Sequence, residues 1–66
     1  MKLEAYRQMH GLTYQSLADL LDEHVSLVHR WCTGERTPTL ADAGKIARVT
    51  DRAVSFEDLL PEGTQT

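Results

Sequence analysis

Turn and capping residues interrupt this chain about every ten positions, and nothing between them alternates apolar and polar side chains as a half-buried strand would. The interruptions are Gly11 to Thr13, Asp22-Glu23-His24, Gly34 to Thr39, and Thr50-Asp51-Arg52. Only short helices, about five of them, fit such punctuation. The spacing predicts a first helix over residues 2–10, with Leu3, Tyr6 and Met9 one turn apart and Gly11 as the C′ residue. Thr13 then caps a second helix whose stripe is Leu17, Ala18 and Leu21. Asp22 suits a tight turn, because Asp tolerates the left-handed conformation. A third helix runs from about Val25 to Thr33 and stops at Gly34. Thr39 with Asp42 resembles a capping box for a fourth helix, with Leu40, Ala43, Ile46 and Ala47 facing inward. Ser55 with Asp58 repeats that logic for a last short helix carrying Phe56, Leu59 and Leu60. The expectation is an all-α fold of five helices over residues 1–60, followed by a frayed tail over 61–66.

Several function classes are excluded at this stage. A chain of 66 residues buries only roughly 60% of its unfolded surface, and a catalytic cleft rarely fits beside so small a core. No enzymatic activity is expected. The single Cys32 rules out an internal disulfide and any zinc site built from several thiolates, and it reads as a half-buried, inert thiol. His24 and His29 lie about 140° apart on a helix and cannot share a metal. The four glycines are isolated, so no loop cradles a phosphate and no cofactor is expected. No apolar run nears the roughly 18 residues of a membrane span, and Met1-Lys2-Leu3-Glu4 begins no secretory segment. A cytoplasmic location without membrane attachment follows as an expectation.

The string Arg30-Trp31-x-x-Gly34-x-Arg36-x-Pro38 is the most specific motif in the chain. With Leu3, Arg7, Gly11-Leu12-Thr13, Leu17-Ala18, Leu21, Val28, Leu40, Ile46-Ala47 and Val54-Ser55, it resembles the Cro/phage-repressor type of helix-turn-helix protein, the xenobiotic-response-element family. The resemblance spans residues 3 to 60. It implies a five-helix Cro/repressor-like domain whose third helix enters the major groove of double-stranded DNA. Carried over position by position, it puts Val25, Ser26 and Leu27 at the start of that helix, with His29 and Arg30 further along. Tyr14 stands where the family usually has a phosphate-contacting Gln, with Gln15 beside it, and a phenol can still donate such a bond. Four further positions depart from the family pattern. Asp22 replaces the turn Gly and His24 the capping Ser, while Cys32 replaces an acidic residue. Glu23 replaces an apolar residue, and a Glu pointing inward needs a partner.

The helical period gives a similar face without the family. At about 100° per residue, Val28 and Trp31 face the core, whereas Ser26, His29, Arg30 and Thr33 turn away. Outward Val25 and Leu27 would suit a thymine methyl, or else help close the core around the turn. Arg30 suits a guanine edge, a phosphate, or a surface ion pair. Arg7, one turn from Leu3, reads as an internal brace or salt bridge. Arg36, Thr37 and Thr39 surround Pro38 and lead into a helix N-terminus, where amides favour a phosphate; a plain capping role for Thr39 is compatible.

Charge cuts the other way. The formal net charge is −3, whereas nucleic-acid binders are usually basic. The acid is unevenly spread, however. Asp19, Asp22 and Glu23 put −3 on residues 13–23, while Arg30 and Arg36 against Glu35 leave residues 24–38 at +1. The expected function is a small sequence-specific DNA-binding transcriptional regulator of the phage or prokaryotic repressor kind, with no room for a small-molecule effector domain. It would bind a palindromic site as a homodimer, with Phe56, Leu59 or Leu60 at the subunit contact. The acidic balance favours an alternative, an antitoxin-like or anti-repressor module that keeps the fold to dock a protein.

Overall fold

The computed structural model describes residues 1–59. Five helices follow one another: α1 (Leu3–Met9), α2 (Tyr14–Leu21), α3 (Val25–Thr33), α4 (Leu40–Val49) and α5 (Phe56–Leu59). Leu60 and the tail over 61–66 lie outside the described residues.

Local chemistry sets nearly every boundary. Gly11 follows α1 at φ 63°, and the Thr13 hydroxyl accepts the Ser16 amide at 3.0 Å to open α2. Asp22 ends α2 in the left-handed region, φ 54° and ψ 47°. His24 does the work of the missing Ser, its Nδ1 accepting the Ser26 amide at 3.2 Å. Gly34 closes α3 at φ 82°. The Thr39 hydroxyl accepts the Asp42 amide at 3.2 Å, and the reciprocal contact runs from that hydroxyl to the Asp42 carboxylate. The box at α5 closes through the backbone on both sides: the Ser55 amide donates to Asp58 Oδ2 and the Asp58 amide to Ser55 Oγ.

The helices pack around α2 and α3. Leu17, Ala18 and Leu21 of α2 meet Val28 and Trp31 of α3, and Leu3, Ile46 and Val54 complete the cluster. Burying each large aliphatic side chain here stabilises the fold by about 1.5–3 kcal/mol before entropy is counted. α1 packs on α3, α4 on α2, and α5 on α4. Among the described residues, no helix is long and apolar enough to cross a membrane.

Glu23 finds the partner that its position demands. Its carboxylate is largely buried beneath the turn and pairs with Lys45 Nζ of α4 at 2.5 Å. Hydrogen bonding to Glu23 raises the Lys45 pKa, which favours the charged form of the ammonium. Among the described residues, Thr50 is the one buried polar residue: its hydroxyl donates to the Ile46 carbonyl at 2.7 Å and accepts the Val54 amide at 3.2 Å. That bridge leads α4 into a turn where Asp51 and Arg52 both take positive φ.

Two apolar expectations need correction. Leu40, expected inside, is 79% exposed. It is the first residue of α4, and a helical side chain leans toward the preceding turn, which here does not exist. Met9, last in α1, is likewise exposed. Val25 and Leu27, for which the sequence leaves outward contact and core closure open, are half-buried and pack against the core, while Val25 also lines the hollow described below. Val25 lies about 60° from Val28 and Leu27 about 40° from Trp31 around the helix, so they flank the core stripe.

Candidate nucleic-acid interface

Five side chains meet on the solvent side of the α2–α3 pair. Tyr14 at the start of α2 and Val25, Ser26, His29 and Arg30 along α3 line a shallow open hollow. Ser26, His29 and Arg30 are exposed, whereas Tyr14 and Val25 are half-buried. Val28 and Trp31, on the opposite face, anchor the helix in the core. The face that remains offers an apolar floor, a hydroxyl, an imidazole and a guanidinium fork.

Tyr14 is held from both sides. The Arg7 guanidinium lies over one face of its ring, and the His29 ring meets it edge-on with centroids 4.8 Å apart. Arg7 is itself fixed: Nε and Nη2 donate to the two oxygens of Glu4 at 2.8 and 2.6 Å, and Nη1 donates to the Leu12 carbonyl at 2.9 Å. This bears out the brace expected of Arg7. The hydrogen bonds from Arg7 pull the Glu4 carboxyl down to about 2 and push the Arg7 pKa further up. The carboxylate beside Arg7 comes from α1, and the nearby position that is acidic in the family holds Cys32. Burial, with the Glu4 charge adding to it, pushes that thiol up to about 12. Cys32 therefore stays protonated at neutral pH and a poor nucleophile.

The other expected residues sit elsewhere. Gln15 is exposed and donates to Asp19 one turn on, at 3.0 Å. Leu27 packs inward, as described. Arg36 and Thr37 line a second hollow, with Trp31, Cys32 and Pro38 on one side and the start of α1 on the other. Thr39 caps α4. Arg30 does form an ion pair, with Glu35 Oε2 3.4 Å from its Nε. At this face, the partners Glu4 for Arg7 and Glu35 for Arg30 were not expected from the sequence. Opposite charges three apart on one helix were a signal for the first; no standard spacing marks the second.

Two short helices joined by a tight left-handed turn, the second anchored on one face and polar on the other, define a helix-turn-helix DNA-binding protein. The family model described as helix-turn-helix matches residues 3–59, and the chain belongs to that Cro/repressor-type family. It is a DNA-binding regulator of this class. No curated protein and no solved structure gives a match.

Proposed function

We propose that the protein is a sequence-specific transcriptional repressor that inserts α3 into the major groove of a palindromic site as a homodimer. The observation that carries this reading is the convergence of Val25, Ser26, His29 and Arg30 of α3 with Tyr14 of α2 in one open hollow. In this reading Arg30 forks onto a guanine edge and Ser26 adds one hydroxyl contact. Val25 meets a thymine methyl, while Tyr14 and Gln15 hold a phosphate at the start of α2. Arg36, Thr37 and the N-terminus of α4 behind Thr39 hold phosphates beyond the end of α3.

Few cations serve that interface, so nonspecific affinity is low and its salt dependence shallow. Affinity then leans on base contacts and on pairing of two copies. Phe56, 46% exposed on α5, supplies the apolar group for that pairing, while Leu59 packs against the core.

The test is selection of bound sequences from a pool of random duplex DNA. A recovered palindrome with half-sites one helical turn apart supports the reading. Failure to enrich any sequence would favour the second reading, a protein-docking module, for which the net charge of −3 is the specific argument.

A further inference from the structure

Gly34 ends α3 in the left-handed conformation and turns the chain back on the helix, and the Arg36 amide then donates to the Arg30 carbonyl at 3.2 Å. This turn lays Glu35 beside the outward side chain of Arg30, 3.4 Å from its Nε. The two side chains are 51% and 69% exposed, so the pair adds little to the stability of the free protein. A carboxylate at this place also repels the phosphate backbone of any duplex that α3 approaches. What the contact does offer is direction. Arg30 is otherwise a long side chain in solvent with many rotamers, and the Glu35 carboxylate sits nearest its Nε as an ion pair. With the carboxylate nearest Nε, the two terminal amines are the pair that can fork onto guanine O6 and N7.

We propose that Glu35 is a specificity-determining positioning residue, which pairs with Arg30 on its Nε side to aim it at a guanine and, through its charge, weakens binding to duplex of any sequence. This rests on the reading of α3 as the groove-entering helix. The two effects of removing the charge have opposite consequences. Glu35→Gln should raise affinity for random duplex, most clearly at low salt, because a repulsive charge is gone. It should lower the preference for the selected site over a version with the guanine replaced. The expected loss is about two- to fivefold, the range that an exposed ion pair spans.

Competition binding of the full chain to three duplexes tests this: the enriched site, the same site with guanine replaced, and random sequence. The proteins are the parent, Glu35→Gln, Arg30→Ala and the double variant. The expected result is a reduced preference in Glu35→Gln, and no further change when the same substitution is made in Arg30→Ala. A preference that survives in Glu35→Gln but collapses in Arg30→Ala overturns the role of Glu35 and leaves the groove reading standing. A loss that Glu35→Gln still causes without Arg30 overturns it too, because Glu35 would then act by another route. If no site enriches, or Arg30→Ala changes neither affinity nor preference, both the inference and the reading beneath it fall.

Discussion

The Arg7 guanidinium lies 4.3 Å from the centroid of the Tyr14 ring, and this stack connects α1 to the exposed face of α3. Glu4 and the Leu12 carbonyl immobilise the guanidinium, the guanidinium supports the phenol, and the phenol supports the His29 ring. A residue with no contact to the hollow thereby fixes the geometry of two that line it. Arg7→Lys keeps the charge but loses the fork and the flat stacking surface. It should lower the melting temperature and move the Tyr14 and His29 ring signals in NMR spectra. Unmoved ring signals would show that the stack does not position them.

The same brace gives a pH dependence with a definite sign. The Glu4 carboxyl is drawn from 4.5 to about 2 in the folded protein, chiefly by hydrogen bonds from Arg7. Its folded value lies below its unfolded one, so the ionised group contributes stability above about 4.5, and that contribution is lost as pH falls toward 2. Glu4→Gln should therefore be less stable than the parent at neutral pH, with the difference shrinking between pH 4.5 and 2. Urea unfolding across that range measures the gap. Equal stabilities at pH 7 would contradict the pairing.

Trp31 anchors α3 from the opposite face and is only 8% exposed. Truncation of a buried Trp to Ala typically costs about 3–5 kcal/mol, against a total of about 5–15 kcal/mol for ordinary domains. In a domain this small, Trp31→Ala should abolish cooperative thermal unfolding followed by circular dichroism. A variant that melts like the parent would mean that α3 is held by other contacts.

Helix boundaries were legible in the sequence because caps act locally. Thr13, Gly34 and Ser55 with Asp58 do in the structure what their spacing predicts. Faces were legible in the middle of helices, as at Val28 and Trp31, and failed at their ends. Leu40 follows the period of Ala43 and Ile46, yet no turn precedes it for its side chain to cover. Of the ten expected interface residues, the five in the hollow lie in the first turn of α2 or along α3. Leu27 packs against the core because it lies 40° from Trp31 around the helix, and the helical period alone left that placement open. The pairs Glu23–Lys45 and Arg30–Glu35 were not legible. Each depends on where a turn or a packed helix brings a long side chain, and periodicity carries no such information.

Asp22 pays a conformational cost at φ 54° that a glycine would avoid. Asp22→Gly should stabilise the protein by about 0.5–1 kcal/mol, after the extra freedom of an unfolded glycine is subtracted. Chemical denaturation resolves a change of that size. A destabilised variant would show that the Asp22 side chain contributes more to the turn than its backbone costs.

Phe56 carries the proposed subunit contact. Phe56→Glu should shift the protein toward monomer in sedimentation runs and weaken binding to a full palindrome far more than to an isolated half-site. Phe56 is 46% exposed and outside the buried cluster, so the fold should survive the change. A parent that sediments as a monomer at high micromolar concentration, free and on DNA, would remove the dimer.

The central claim, that the free face of α3 is the surface that reads DNA, is tested most directly by NMR titration of the labelled protein with the enriched duplex. The account predicts that the signals of Tyr14, Gln15, Val25, Ser26, His29 and Arg30 shift most, followed by those of residues 36–39. Arg30→Ala should cut affinity for that duplex by about 1–3 kcal/mol and relax preference at one position of each half-site. Shifts centred on Leu40 and Phe56, or an α3 face that stays unperturbed at saturation, would contradict it.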